Sequence, residues 1–269
     1  EFNYLDASGF FPDEDIRKKI EFYAVFGGSP YVLSLIEPGL TVEDNIKKLV
    51  IHPTSILRTY IENIMLREVQ KSFDMRIPEA LGNGRKRYSE IIRALRYTDN
   101  GMLDKQLKIL MDMETVTKVF PINRPNDKKK QFYEISDNLM RFYFTFIFGN
   151  DSVIRKLGEE AFYESFIGER LKVFIGLRFE QIVNQYFLLQ IQNGQRKGAT
   201  DVGSYWYDDP ASHTNGQFDC VIQYGDSYDF YECKCYDRPM HREECIHEEQ
   251  QLSMIQGIDY RKIGFVCSG

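Results

Sequence analysis

The chain has 269 residues, 43% of them hydrophobic, and a net charge of −6. A chain of this length buries more than one core, and length by itself points to two domains. No apolar run approaches the roughly 20 residues of a membrane-spanning helix, and Glu1-Phe2-Asn3-Tyr4 lacks the basic start and apolar core of a secretory signal. No membrane partner is expected, and a cytoplasmic location follows by default. The charge has a geography: residues 84–130 carry twelve Lys/Arg against six Asp/Glu, and residues 199–269 carry five against thirteen. An acidic surface repels nucleic acid unless a metal ion or a neighbouring basic domain compensates. The five cysteines, Cys220, Cys233, Cys235, Cys245 and Cys267, are odd in number, which argues against a secreted disulfide framework. A zinc site from Cys233, Cys235, His241, Cys245 and His247 is the weaker alternative to reduced, buried thiols, because its spacing is unfamiliar.

Residues 1–72 read as helical. Pro12-Asp13-Glu14-Asp15 opens a helix to about Phe26, Gly27-Gly28-Ser29-Pro30 interrupts it, and Thr41-Val42-Glu43-Asp44 has the form of an N-cap with first-turn acids. A long helix follows His52-Pro53-Thr54-Ser55, with apolar positions at 57, 61, 64, 65, 69 and on to 73. These segments predict packing helices and carry no catalytic signature.

Residues 74–137 follow a different pattern. A short helix over 88–95, a turn at Thr98-Asp99-Asn100-Gly101 and a second helix over 102–113 precede a ribbon of 116–122 with 130–135. Helix, turn, helix and ribbon predict a winged helix-turn-helix, whose second helix enters a major groove in DNA-binding examples. Lys105, Gln106 and Lys108 on that helix, with Lys128, Lys129 and Lys130 on the wing, form the candidate phosphate-contacting set; a protein-protein adaptor is the alternative. Ser136-Asp137-Asn138 then caps a helix whose aromatics, Phe142 to Phe148, are expected to pack the winged helix against the next domain, with nucleobase stacking as the other option. A charged helical connector follows over 151–172.

The C-terminal region carries the chemistry. Residues 176–187 predict a helix with apolar positions 179, 182, 183, 186 and 187 and Glu180 at the border of that face. Two strands, one holding Asp219 and the other Glu232-Cys233-Lys234, flank a Gly225-Asp226-Ser227 turn. Alternation points Glu232 and Lys234 one way and Cys233 and Cys235 the other. Asp219 and Glu232 would hold a Mg²⁺ or Mn²⁺ ion, which takes few protein carboxylates and keeps several waters. Lys234 would orient a water or stabilise charge on a phosphate, and Glu180 would be the fourth catalytic group. A helix over about 243–252 should cover the sheet, with Gln251, Gln250 or Glu248 approaching the site, and 262–267 reads as a core strand.

Helix with Glu180, strand 201–207, Asp219 strand and Glu232-x-Lys234 strand resemble the PD-(D/E)xK nuclease core. Together with Phe22-Tyr23-Ala24-Val25-Phe26-Gly27-Gly28-Ser29-Pro30-Tyr31-Val32-Leu33, the winged helix, Tyr133-Glu134-Ile135-Ser136-Asp137-Asn138-Leu139-Met140-Arg141-Phe142-Tyr143 and Val202-Gly203-Ser204-Tyr205-Trp206, nearly the whole chain resembles the C-terminal half of archaeal and bacterial AAA/STAND-type ATPases of the DEXX-box group. The resemblance implies a P-loop core ahead of this region and a lid near its nucleotide. No Gly-x-x-x-x-Gly-Lys-Ser/Thr occurs in the 269 residues, so ATP hydrolysis by this chain alone is not expected, and ATP enters only with a core supplied elsewhere. The first residue falling inside the lid, and the last within or just after a strand, suggest a fragment or a truncated gene.

The expected fold is α+β multidomain: a helical lid remnant over 1–73, a winged helix-turn-helix with its aromatic helix over 74–150, and an α/β PD-(D/E)xK restriction-endonuclease-like domain over 151–269. The expected function is DNA binding with Mg-dependent phosphodiester cleavage. A catalytically weak or inactive DNA- or protein-binding regulatory module is the alternative. DNA is the expected partner, homo-oligomerisation is left open, and no small-molecule substrate is implied.

Overall fold

The computed structural model describes residues 1–69, 74–97, 100–209, 214–254 and 258–268. They divide into two compact units, residues 1–119 with 131–174 and residues 120–130 with 175–269. The architecture is α+β, a helical region together with a mixed sheet. Among the described residues no helix is long and apolar enough to cross a membrane.

The first unit begins with α1 (Tyr4–Ser8), α2 (Ile16–Phe26), α3 (Pro30–Leu33) and α4 (Val42–Ile46). Local chemistry sets their ends. The Asp15 side chain accepts the Lys18 N–H at 2.8 Å, and Gly27 closes α2 at φ 74°, a backbone conformation that costs a residue without a Cβ little. Thr41 and Asp44 form a reciprocal capping box: Thr41 Oγ1 accepts the Asp44 N–H at 3.0 Å, and Asp44 Oδ2 accepts the Thr41 N–H at 3.2 Å. Leu57, Ile61 and Met65 of α5 (Ile56–Val69) are buried; position 73 lies outside the described residues.

Next come α6 (Arg76–Gly82), β1 (Lys86–Arg87), α7 (Tyr88–Leu95), α8 (Asn100–Asp112), β2 (Val116–Val119) and β3 (Phe132–Ile135). Strand order is β1-β3-β2, antiparallel throughout. Leu103, Leu107 and Leu110 of α8 are buried, the stripe that their spacing predicted; Thr98 and Asp99 of the expected turn lie outside the described residues. The Asp137 carboxylate accepts the Met140 N–H at 2.6 Å to start α9 (Asn138–Phe142), which runs into a π-helical turn, Tyr143–Ile147. Phe142, Phe144 and Phe146 are buried, so these rings pack within the unit and are not offered to bases. A Cβ on Gly82 would lie 2.5 Å from the Phe144 carbonyl oxygen, so α6 reaches this turn only with glycine there. The helices α10 (Asp151–Phe166) and α11 (Gly168–Gln192) follow, with α10 kinked at Gly158, φ 77°.

The second unit holds β4 (Asp201–Asp209), β5 (Thr214–Tyr224), β6 (Ser227–Lys234), α12 (Arg242–Met254) and β7 (Tyr260–Cys267), with the part of α11 from Ile175 onward. Strand order is β4-β5-β6-β7; the first two pairings are antiparallel, and β6 and β7 are parallel. A parallel pair needs a long crossover, and α12 is its helix. One sheet face buries Val221 and Phe230 against Ile122 and Leu252, flanked by Tyr205, Phe218, Tyr228 and Ile263.

The strand expected over 116–122 stops at Val119. Pro121 has no N–H for a ladder, and the Ile122 N–H donates instead to the Ser204 carbonyl at 2.7 Å. The other strand begins at Phe132, because Lys128–Lys130 form a 3₁₀ turn.

Candidate functional site

A cavity of about 260 Å³ in the second unit is lined by Glu180, Asp219, Glu232, Lys234 and Glu248, among others. Four separate elements deliver these five side chains. Glu180 comes from α11, which reaches β5 through the Asn184 amide donating to the Asp219 carbonyl at 2.9 Å. Asp219 lies at an irregularity: from Gly203 to Tyr205 β4 advances two residues, while β5 runs three, from Val221 to Phe218. The surplus residue falls at Asp219-Cys220. A β-bulge of this kind re-aims a side chain that a regular strand would direct by alternation.

Glu232 and Lys234 continue the Phe230 face of β6, beyond the buried core. Glu248 stands one helical turn before Leu252 on α12, so the leucine that anchors the helix also fixes the carboxylate over the end of the sheet. Lys234 Nζ lies 2.5 Å from Glu232 Oε1 and 3.9 Å from Glu248 Oε1. The Gln217 amide donates to Asp219 Oδ1.

Four carboxylates and one ammonium share the cavity, and their electrostatics reflect that imbalance. Burial pushes the Glu232 carboxyl above its ordinary value; Lys234 pulls the other way, and the charges of Glu248 and Asp219 add to the rise. Burial pulls on Lys234 in the opposite sense, but its hydrogen bond to Glu232 and the nearby acids outweigh that, and its ammonium is held above the usual lysine value. Lys234 is therefore a cation at neutral pH. Beside the site, the Cys220 thiol is pushed up by its hydrogen bond with Cys233, then by burial and by the charges of Glu180 and Asp219. None of the five cysteines is in a disulfide.

Among the described residues no group of three or more His, Cys, Asp or Glu is placed to hold one metal ion, and this includes the cysteine and histidine set weighed for zinc. The chemistry of the cavity suits a hard divalent cation nevertheless, since Mg²⁺ is commonly held by one or two carboxylates and water. Asp219 and Glu232, on adjacent strands, are the residues that would hold it.

All four residues expected to be catalytic line this one cavity. Sequence reasoning left Glu248, Gln250 and Gln251 as equals; Glu248 is the one at the site, and the Gln251 side chain lies outside the described ones. Its spacing of four from Leu252 was the available signal. Gln217 was missed, although two residues from Asp219 on a strand is a spacing that allows side-chain contact.

The six residues expected to contact phosphate fall in both units. Lys105 and Lys108 are exposed on α8 in the first unit. Gln106 accepts the Asp74 N–H at 2.6 Å. Lys128, Lys129 and Lys130 belong to the second unit, where the Asn123 side chain accepts the Trp206 N–H at 3.0 Å and donates to its carbonyl at 2.8 Å. Lys130 Nζ sits 3.6 Å from the centre of the Trp206 ring, a cation–π contact, and the Lys129 N–H donates to Asp127 at 2.9 Å.

Asp74 offers a test of the first unit. Its hydrogen bond from Arg76 holds its carboxyl down at about 2 against the opposing effect of burial, and the Tyr97 hydroxyl adds a second bond at 2.5 Å. A depressed carboxyl stabilises the fold above the ordinary value of 3.8 and loses that contribution as pH falls toward 2. Asp74→Asn should melt below the wild type at pH 7, by a margin that shrinks below about pH 4. A margin independent of pH in thermal melts would refute this assignment.

Residues 143–247 match the family DUF234, described as archaea bacterial proteins of unknown function. An uncharacterized protein of Methanocaldococcus jannaschii is 28% identical over 204 residues, which is 74% of this chain and 44% of that protein. The chain thus spans less than half the length of the curated relative it matches. No solved structure matches the chain significantly.

Proposed function

We propose that the chain binds DNA and cleaves phosphodiesters with a divalent metal ion, using a PD-(D/E)xK-like domain that follows a winged helix and a helical lid, as in the C-terminal region of AAA/STAND-type ATPases. The observation that carries this reading is the cavity in which Glu180, Asp219, Glu232 and Lys234 meet, with Glu248 beside them. The order α11, β4, β5, β6, α12, β7 supports it, with Asp219 at the irregularity midway along β5 and Glu232 and Lys234 at the C-terminal end of β6.

Asp219 and Glu232 hold the cation, Mg²⁺ or Mn²⁺, which when bound neutralises phosphate charge and acidifies water. Gln217 steadies one Asp219 oxygen. Lys234 keeps its proton at neutral pH, so it stabilises negative charge on the phosphate and is not the base. Glu248, 3.9 Å from the ammonium, would remain its carboxylate neighbour with Glu232 engaged by a cation.

A second reading, a weak or inactive DNA- or protein-binding module, draws on the acidity of residues 199–269, thirteen acids against five bases, and on the close Glu232–Lys234 pair. Nicking of supercoiled and single-stranded DNA with Mg²⁺ or Mn²⁺ separates the two. Activity lost in Asp219→Ala and Glu232→Ala is the expected result; activity unchanged by both substitutions sinks the enzyme reading.

A further inference from the structure

Beyond the C-terminal end of α11, the sheet face that carries Tyr231 gathers cations from two distant parts of the chain. In the β6–β7 ladder Tyr228 pairs with Tyr260 and Asp229 with Lys262, so β7 holds Arg261 as an extra residue. The bulge brings two consecutive bases to one carboxylate. Arg261 Nε lies 3.4 Å from Asp229 Oδ1, and Lys262 Nζ lies 3.9 Å from Oδ2. The Asp229 side chain is 1% exposed, whereas those of Arg261 and Lys262 are 48% and 52% exposed.

Arg196, from the loop after α11, is the third cation. Its Nη1 donates to the Tyr231 hydroxyl at 2.8 Å and its Nε to Gln190 Oε1 at 2.7 Å. The Arg261 guanidinium lies 3.8 Å from the Tyr224 ring centre, and Lys262 Nζ lies 5.5 Å from that of Tyr231. Two of the three cations thus meet one carboxylate and Arg196 meets a phenol and an amide, so the local charge stays positive.

Strand register keeps one nearby acid away: Asp201 pairs with Gln223, and Gln223 with Tyr228, on the opposite face. Exposed Asp226 and Asp259 lie at the hairpin end of the sheet, so the positive surface leads the other way, toward Tyr231. Tyr231 itself lines the carboxylate cavity. Asp229 and Tyr231 face away from Glu232 and Lys234, and the two faces meet at the cavity, which Tyr231, Glu232, Cys233 and Lys234 all line. Arg261 and Lys262 stand at Asp229, and Arg196 stands two residues further along β6 at Tyr231, so the cations do not surround one point.

We propose that Arg196, Arg261 and Lys262 hold the backbone phosphates of a DNA strand that passes over Tyr224 toward the carboxylate cavity. The destination of the strand rests on the nuclease reading; the binding does not.

Anisotropy of a fluorescein-labelled duplex of about 20 base pairs, and of its single strand, is measured with the chain in EDTA across a salt series. Arg261→Ala with Lys262→Ala is expected to weaken binding about tenfold near 100 mM salt and to reduce the log–log salt slope by about 2, and Arg196→Gln by about 1. Because the double substitution leaves Asp229 without its cations, Asp229→Asn is run beside it. Losing the acid and keeping the bases should tighten binding about threefold. No binding by the wild type, or unchanged affinity and slope in the double variant and Asp229→Asn with melting preserved, overturns the proposal. Nicking by the wild type with Mg²⁺, with Asp219→Asn and Glu232→Gln as controls, is the independent arm: binding through these cations by a wild type that cleaves nothing removes the nuclease reading and leaves this one standing.

Discussion

Glu232→Gln should lower metal-dependent DNA nicking by at least about 100-fold, the scale on which one preorganised electrostatic group acts, and leave a chain that melts no lower than the wild type without metal. The two halves of this result have one cause. Burial, with Glu248 and Asp219 close by, raises the Glu232 carboxyl against the pull of Lys234, so its ionised form is held at a cost. A carboxyl raised in the folded state binds its proton more tightly there than in the unfolded chain. Its contribution favours folding below the ordinary value of 4.5 and is lost as pH rises through the folded value. Glutamine is free of that loss, and the variant's melting advantage should therefore grow as pH rises from about 4.5 to neutrality. Lys234 retains Glu248 at 3.9 Å as a carboxylate neighbour. Added Mg²⁺ should raise the melting temperature of the wild type and not that of the variant, because a ligand stabilises only the state that binds it. A variant that melts well below the wild type at pH 7 would mean that Glu232 serves the fold, and the assignment to metal binding would fail.

Phe142→Ala should destabilise the first unit by about 3–5 kcal/mol, the cost of removing a fully buried aromatic ring that its surroundings do not refill. Phe142 is 0% exposed, and its ring centre lies 5.0 Å from that of Phe146 and 5.7 Å from that of Phe174. It closes α9 at the point where the chain passes into the π-helical turn, so the cavity would open between elements fixed on both sides. Urea denaturation followed by a probe confined to the first unit measures the loss. A cost under about 1 kcal/mol would show that neighbouring side chains collapse into the space.

The sequence by itself determined much of the local structure. Asp15, Thr41 and Asp137 cap helices where their residue types and spacing indicated, because a cap is a bond between residues three positions apart. The leucines of α8 read correctly for the same reason: periodicity is a property of neighbouring residues. Glu180, Asp219, Glu232 and Lys234 were legible as a set through residue type and element order. Their meeting in one cavity depended on the Asp219-Cys220 bulge and on α11 lying against β5, neither of which leaves a local mark.

Tertiary structure alone decided the rest. The choice of Glu248 over its neighbours came from the burial of Leu252, which sets the rotation of α12. The lysines of the 128–130 turn group with the second unit because Ile122 and Asn123 find partners on β4 more than 80 residues away, which nothing in their own spacing announces. Arg196, Arg261 and Lys262 come together because a bulge in β7 and the end of α11 bring them to Asp229 and Tyr231. Caps and periodicity are written in adjacent residues, whereas the faces on which charges meet are set by strand register and burial between residues far apart in the chain.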